Sequence, residues 1–204
     1  MEAPELADRI LLEAQGKSRF LIALAGPPGA GKSTLADALC AELINRGEQA
    51  RSIPMDGFHL DNRILDQRDL RSRKGAPQTF DADGFVHMIG RLKSATGDIA
   101  IPLFDREQDI AIAGADIVAE GDRFLVVEGN YLLLRSQPWA HLLDFWDLSV
   151  FLNPGPKVIE YRLIKRWLGL GRDAKTARQW VSDNDMPNAH TVLENSAGAD
   201  VLLP

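Results

Sequence analysis

The chain has 204 residues, 45% of them hydrophobic and 25% charged, with a net charge of −6. That length supports one sizeable core and an ordinary globular balance, and the negative sum excludes a general nucleic-acid binder while leaving room for a local basic pocket. Cys40 is alone, so no intrachain disulfide forms and a buried apolar role is expected for it; with no signal-peptide pattern at the start and no run of about 18 apolar residues, a cytoplasmic location and no membrane contact are expected.

Residues 6–13 read as a short amphipathic helix, and 20–25 as an apolar strand covered on both faces. After a Gly/Pro-rich turn, 32–46 is helical, with Leu35, Leu39 and Leu43 on one stripe and Gly47 at its end. A strand follows at 50–55, a helix at 81–94, and strands at 99–104, 124–127 and 146–152. Helices at 157–168 and 174–181 and a strand at 199–203 complete the series. Strands separated by helices of this length need crossovers, so the expectation is one α/β domain over 1–204 with a mainly parallel sheet. Between Phe58 and Lys74 runs a charged stretch with Arg63, Arg68, Arg71 and Arg73. It reads either as a solvated face or as a flap over a substrate.

Gly26-Pro27-Pro28-Gly29-Ala30-Gly31-Lys32-Ser33 fits G-x-x-x-x-G-K-[ST], between an expected strand and an expected helix. Glycines let the backbone curl so that N–H groups face phosphate oxygens, and the helix N-terminus adds partial positive charge. Lys32 is placed for the β- and γ-phosphates, Ser33 offers a hard oxygen to magnesium, and Thr34 continues the loop into the helix. The pattern arises by chance in on the order of 1% of chains this long. No N-K-x-D accompanies it, so guanine specificity is not expected; Asp81-Ala82-Asp83-Gly84 fits D-x-x-G, but Asp81 also fits a helix cap.

Two carboxylates end expected strands, the second of them apolar. Asp56 follows 50–55, where a hydroxyl nucleophile could arrive and lose its proton. Glu128 follows 124–127, as a Walker B acid that serves the metal does. Arg162, Lys165, Arg166 and Arg172 cluster on one helix and its end; a solvated face accounts for them, and so does a lid whose arginines, Arg166 and Arg172 above all, close over phosphates.

Together these segments resemble the phosphoribulokinase, uridine kinase and pantothenate kinase group of P-loop kinases. The resemblance rests on the P-loop, Met55-Asp56-Gly57-Phe58-His59, Gly75-Ala76-Pro77-Gln78-Thr79-Phe80-Asp81, Pro102-Leu103-Phe104-Asp105-Arg106, Val127-Glu128-Gly129, the arginine stretch and the closing Ala199-Asp200-Val201-Leu202-Leu203-Pro204. It looks closest to bacterial members labelled nucleoside kinase-like or fructose transport system kinase. The resemblance implies a three-layer P-loop NTPase fold with an arginine-bearing lid, using ATP and magnesium. It implies Asp56 as base, Asp81 on substrate hydroxyls, Glu128 at the metal, and Phe104, Asp105 and Arg106 as the acceptor wall. Uridine kinases carry a second aromatic residue and a histidine after the position of Phe104, whereas this chain has Arg106 and Asp109. With His59, Asp81, Asp105 and Arg106 offering hydrogen bonds and Phe104 the one ring, a sugar such as fructose is the expected acceptor. A uridine-like or pantothenate-like kinase and a nucleotide-dependent regulatory ATPase are the alternatives. Asn184, Asn188 and Asn195 are candidate adenine contacts, and a homodimer is compatible with the sequence.

Overall fold

Six apolar residues in a row leave no polar face, so Phe20–Ala25 (β1) must be covered on both sides, and all six are buried. The computed structural model describes residues 2–94 and 96–204. Its further strands are β2 (Ala50–Pro54), β3 (Ile99–Asp105), β4 (Ile110–Val118), β5 (Phe124–Gly129), β6 (Leu148–Leu152) and β7 (Val201–Leu203). Five of these form one sheet in the order β2-β5-β1-β6-β7, with every neighbouring pair parallel. The helices are α1 (Ala3–Glu13), α2 (Lys32–Asn45), α3 (Asn62–Gln67), α4 (Ala82–Ser94), α5 (Pro156–Gly169), α6 (Ala174–Trp180) and α7 (Met186–Asn195). Among the described residues no helix is long and apolar enough to cross a membrane.

The period of two along β1 sorts its side chains into two layers. Phe20, Ile22 and Leu24 pack with Leu6 and Ile10 of α1 and with Leu39 and Leu43 of α2. Leu21, Ala23 and Ala25 pack with Phe85, Ile89 and Leu92 of α4 and with Trp139 and Leu142 from the 3-10 turn Trp139–Asp144. Each large side chain removed from water here contributes roughly 1.5–3 kcal/mol. Cys40 is buried in the first of these layers, as expected of a small apolar residue. A third cluster of Ile159, Leu163, Val181 and Ala189 holds α5 against the π-helical turn Val181–Asp185 and α7. This makes the lid a packed unit with its own small core.

The parallel sheet and its helical crossovers agree with the expectation. Besides α3, which lies in the charged 58–74 stretch where no helix is expected, two regions differ from it. The strand expected at 99–104 does not join the main sheet; as β3 it pairs antiparallel with β4 in a separate hairpin. The sequence Ile-Ala-Ile-Ala-Gly-Ala-Asp-Ile-Val of β4 lacks a polar–apolar alternation because most of the strand is exposed. Pro102 has no N–H to give the ladder, and the register shifts between Ile101 and Leu103. The second difference is α7, which continues from α6 through the π turn and carries Pro187 in its first turn.

Candidate active site

The phosphate loop is shaped by what surrounds it. Gly26 leaves β1 with φ +152°, and a Cβ there would stand 2.6 Å from the Leu152 carbonyl oxygen of β6. Gly31 caps α2 at φ +102°, a conformation that side chains resist. Lys32 is buried, and its Nζ donates to the Pro27 carbonyl at 3.0 Å and to Asn130 Oδ1 at 2.7 Å. Burial lowers Lys32 to about 8, against the pull of Glu128 and Asp56 towards the charged form. Ser33 Oγ donates to Glu128 Oε1 at 3.1 Å. Glu128 is buried and held above the usual carboxylate range by that burial, while Lys32 acts in the opposite direction. Thr34 lies exposed on the first turn of α2. The carbonyls of Gly29 and Ala30 accept from Arg162 Nη1, at 3.3 and 2.9 Å, so Arg162 braces the loop from outside.

Glu128 is paired in register with Pro54 of β2, so the acid at the end of β5 sits beside the segment that brings in Asp56. That segment is the 3-10 turn Met55–Phe58. Two glycines let it dock. A Cβ on Gly57 would meet the Pro102 carbonyl oxygen at 2.3 Å, and one on Gly129 would meet Met55 Cβ at 2.6 Å. Strand β5, the Asp56 turn and the hairpin are therefore locked face to face.

Asp56 is half-buried, and its Oδ2 accepts from Arg106 Nη2 at 2.8 Å. His59 Nε2 lies 4.0 Å from Asp56 Oδ1. The imidazole stacks on Phe80 with centroids 4.0 Å apart and leans on Phe104 at 4.8 Å. Burial lowers His59 to about 4, so it is neutral near pH 7, and its Nδ1 is buried without a partner. Lys74 Nζ donates to Asn62 Oδ1 at 2.7 Å and to the Asp109 carbonyl at 3.0 Å, and pairs with Asp109 Oδ1 at 2.8 Å, stitching the 58–74 stretch to the hairpin tip.

These groups line a cavity of about 1040 Å³ between the phosphate loop, the hairpin tip and the lid. It brings together Pro28, Asp56, His59, Phe104, Arg106, Arg166 and Arg172 from the sequence candidates. Arg71, Ser72, Lys74 and Gly75 line it as well, so the charged stretch forms part of its wall rather than only a solvated face.

Asp81 and Asp105 are not among its lining, and both expectations are corrected. Asp81 precedes α4, its Oδ1 accepts from Gly84 N at 3.0 Å, and it faces a smaller cavity beside Pro138 and Trp139. Asp105 caps the hairpin turn by accepting from the backbone N–H groups of Glu107 and Gln108 and from Gln108 Nε2. These bonds, those from Gln108 first, hold it below the usual carboxylate range. Of the three asparagines, Asn188 lines the cavity and Asn184 and Asn195 do not. Asn184 donates to the Lys74 carbonyl, Asn188 accepts from Arg73, and Asn195 donates to the Thr191 carbonyl of its own helix.

Phe104 is also not the one ring of the wall. Phe80, Trp167 and Trp180 line the cavity too, with the Arg172 guanidinium 4.1 Å from the Trp167 ring and 4.6 Å from the Trp180 ring. Trp167 Nε1 donates to the buried Asp185 at 2.6 Å. The sequence signal for this wall was the spacing of Trp167, Arg172 and Trp180, which brings the three together once the lid helices fold back on one another.

Ser33 and Glu128 are the adjacent hard-oxygen donors suited to a divalent cation. Among the described residues no group of three or more His, Cys, Asp or Glu could hold one alone. That fits magnesium, which retains water and shares its shell with substrate phosphates.

The sequence profile of the Phosphoribulokinase / Uridine kinase family matches residues 21–193. A crystal structure from Silicibacter sp. TM1040, named "putative fructose transport system kinase", is 41% identical with a TM-score of 0.95, each chain covering 100% of the other. The Schizosaccharomyces pombe protein named "Putative uridine kinase C227.14" is 35% identical over 98% of this chain and 88% of its own length. The pantothenate kinase of Enterococcus faecalis is 29% identical over 72% of this chain but only 49% of its own.

Proposed function

This chain belongs to the phosphoribulokinase/uridine kinase family and is an ATP-dependent small-molecule kinase; on that premise we propose that it phosphorylates a compact polyhydroxylated molecule of the sugar class, with Asp56 as base. The observation that carries this reading is the cavity in which Asp56 faces the phosphate loop among hydrogen-bonding side chains. His59, Arg106 and Asp109 suit several hydroxyls at once, and the 41% identical structural neighbour bears a fructose-related name.

Lys32 stands ready to hold the β- and γ-phosphates at the mouth of the loop. Ser33 and Glu128 would hold magnesium, which when bound would supply positive charge to offset that of the phosphates. Arg166 and Arg172 line the lid side, placed to offset charge spreading over the γ-phosphoryl oxygens. Leu163, Trp167 and Leu170 line the lid side of the cavity, where closure over the substrates would limit water. The acceptor hydroxyl gives its proton to Asp56 as its oxygen bonds to the γ-phosphorus. The β,γ-bridging bond breaks, and ADP leaves with the electron pair.

A second reading, a nucleoside acceptor, is favoured by the extra rings of Trp167 and Trp180. Arg172 already lies against both indoles, which leaves less free flat surface for a base than the count of rings suggests. The deciding experiment is a phosphorylation panel at equal concentrations: fructose and other free sugars against uridine, cytidine and pantothenate. Turnover of a sugar, with steep loss on removing a hydroxyl, is the expected result. Efficient turnover of uridine or pantothenate with inert sugars would overturn the acceptor assignment.

A further inference from the structure

A base beside the γ-phosphate serves water as readily as it serves an acceptor. In this molecule one oxygen of that base is taken. Arg106 Nη2 donates to Asp56 Oδ2 at 2.8 Å, and among the described residues this is the hydrogen bond of the Arg106 side chain. The other oxygen stands 4.0 Å from His59 Nε2, whose ring stacks on Phe80 and leans on Phe104.

We propose that Arg106 is a catch on the base: it withholds Asp56 from water until the hydroxyls of a seated acceptor displace the guanidinium, so that ATP cleavage waits for the acceptor. This rests on the reading of Asp56 as base given above, and it assigns Arg106 the task of choosing between acceptor and water.

The architecture suits that task. The stem of the hairpin is pinned where Pro102 presses on Gly57, directly beside Asp56. Its tip is a preformed turn closed by Asp105, with Asp109 in the left-handed region at φ +57° and tied to Lys74. Arg106 is thereby aimed at Asp56 by a fixed support. Its side chain is nevertheless 51% exposed, and an ion pair that open to water is weak enough to be exchanged. A polyhydroxylated acceptor offers oxygens to the five guanidinium N–H groups, so Arg106 keeps partners after it releases the carboxylate. Water offers no such fixed array.

The leak that the catch prevents is hydrolysis. A water oxygen bonds to the γ-phosphorus, its proton passes to Asp56, the β,γ-bridging bond breaks, and ADP and inorganic phosphate leave. The same base and the same bond cleavage serve the productive reaction, with the acceptor oxygen in place of water. If Arg106 merely oriented Asp56, its removal would slow both reactions alike.

The test is ATP hydrolysis with MgATP and no acceptor, in the wild type, Arg106→Ala, Arg106→Lys and the double variant Arg106→Ala/Asp56→Asn. Arg106 is half exposed, so the single variants should fold, and circular dichroism checks that they do. The catch predicts a rise of about 2- to 5-fold in Arg106→Ala, what release of an exposed ion pair allows. Arg106→Lys, which keeps charge but loses the planar fork, should rise less. The gain should vanish in the double variant. An unchanged or slower acceptor-free rate in Arg106→Ala overturns the proposal, and so does a gain that survives loss of Asp56. An inert sugar panel would remove the acceptor assignment alone, because this measurement needs no acceptor.

Discussion

Lys32 and Ser33 open α2 beyond the loop that follows β1, Glu128 stands at the end of β5 beside it in the sheet, and two of the three are buried. Asp56, His59, Arg106, Arg166 and Arg172 stand on a 3-10 turn, a detached hairpin and the lid, with more of their surface in water. The nucleotide end of the cleft is held by strand pairing, so its geometry is inherited from the core. The acceptor end is held by ion pairs and by two glycine contacts, at Gly57 and Gly129. A shared phosphate donor calls for a fixed cradle, while a variable acceptor calls for parts that can be exchanged without disturbing the sheet.

If the two ends are separable in this way, variants should divide accordingly. The largest effect is expected for Asp56→Asn, which cannot take a proton. Its kcat should fall roughly 10²–10⁴-fold with ATP affinity within a few-fold of wild type, measured by steady-state kinetics and nucleotide titration. A matching loss of ATP affinity would move Asp56 to the metal and blur the division. Lys32→Ala should reduce turnover by roughly 10²–10³-fold and weaken ATP as well, with the melting curve preserved.

Gly57→Ala sharpens the comparison through the fold. The added methyl meets backbone at Pro102, which cannot yield as a side-chain tip would. A stability loss of about 2 kcal/mol is expected by denaturant titration, with a raised acceptor KM and nearly unchanged ATP affinity. The smallest effect concerns pH. His59 is lowered to about 4, so between its ordinary value and 4 the unfolded chain binds a proton that the folded chain refuses. Stability contributed by neutral His59 is therefore lost as pH falls through that window. The loss should be about 1 kcal/mol between roughly pH 6.5 and 5.5, and His59→Phe should flatten this part of the stability curve.

The same division governed what the sequence showed. The P-loop and the cores of β1 and β5 are contiguous, so their residue pattern carries their geometry. The acceptor wall is assembled from segments far apart in the chain, and composition alone does not say which way an acid points. Asp81 and Asp105 have the chemistry of hydroxyl-binding residues, but they use it on the backbone of a helix start and a turn. Asp56 has the same side chain and no such backbone partner among its hydrogen bonds, so it is left for Arg106. Strand β4 escaped notice because an exposed strand has no need of alternation. Helix α7 escaped because its buried Asn188 and early Pro187 resemble a loop. The lid rings were visible as residues but not as a wall, since that depends on α5, α6 and the π turn folding back together.

The brace between Arg162 and the phosphate loop has a consequence for the order in which molecules come and go. Arg162 bonds the carbonyls of Gly29 and Ala30, and a Cβ on Gly29 would lie 3.1 Å from Leu163. Lifting this half of α5 would break those tethers and strip the loop of its outer support. The outer half carries Arg166 and Trp167 and ends near Gly171 at φ +85°, and among the described residues it makes no such bond to the loop. Traffic through the acceptor mouth is then expected to proceed with the nucleotide still gripped at the tethered root. The expected order is phosphorylated product first and ADP last, and product-inhibition patterns, with ADP competitive against ATP alone, are where that sequence of departures would be read.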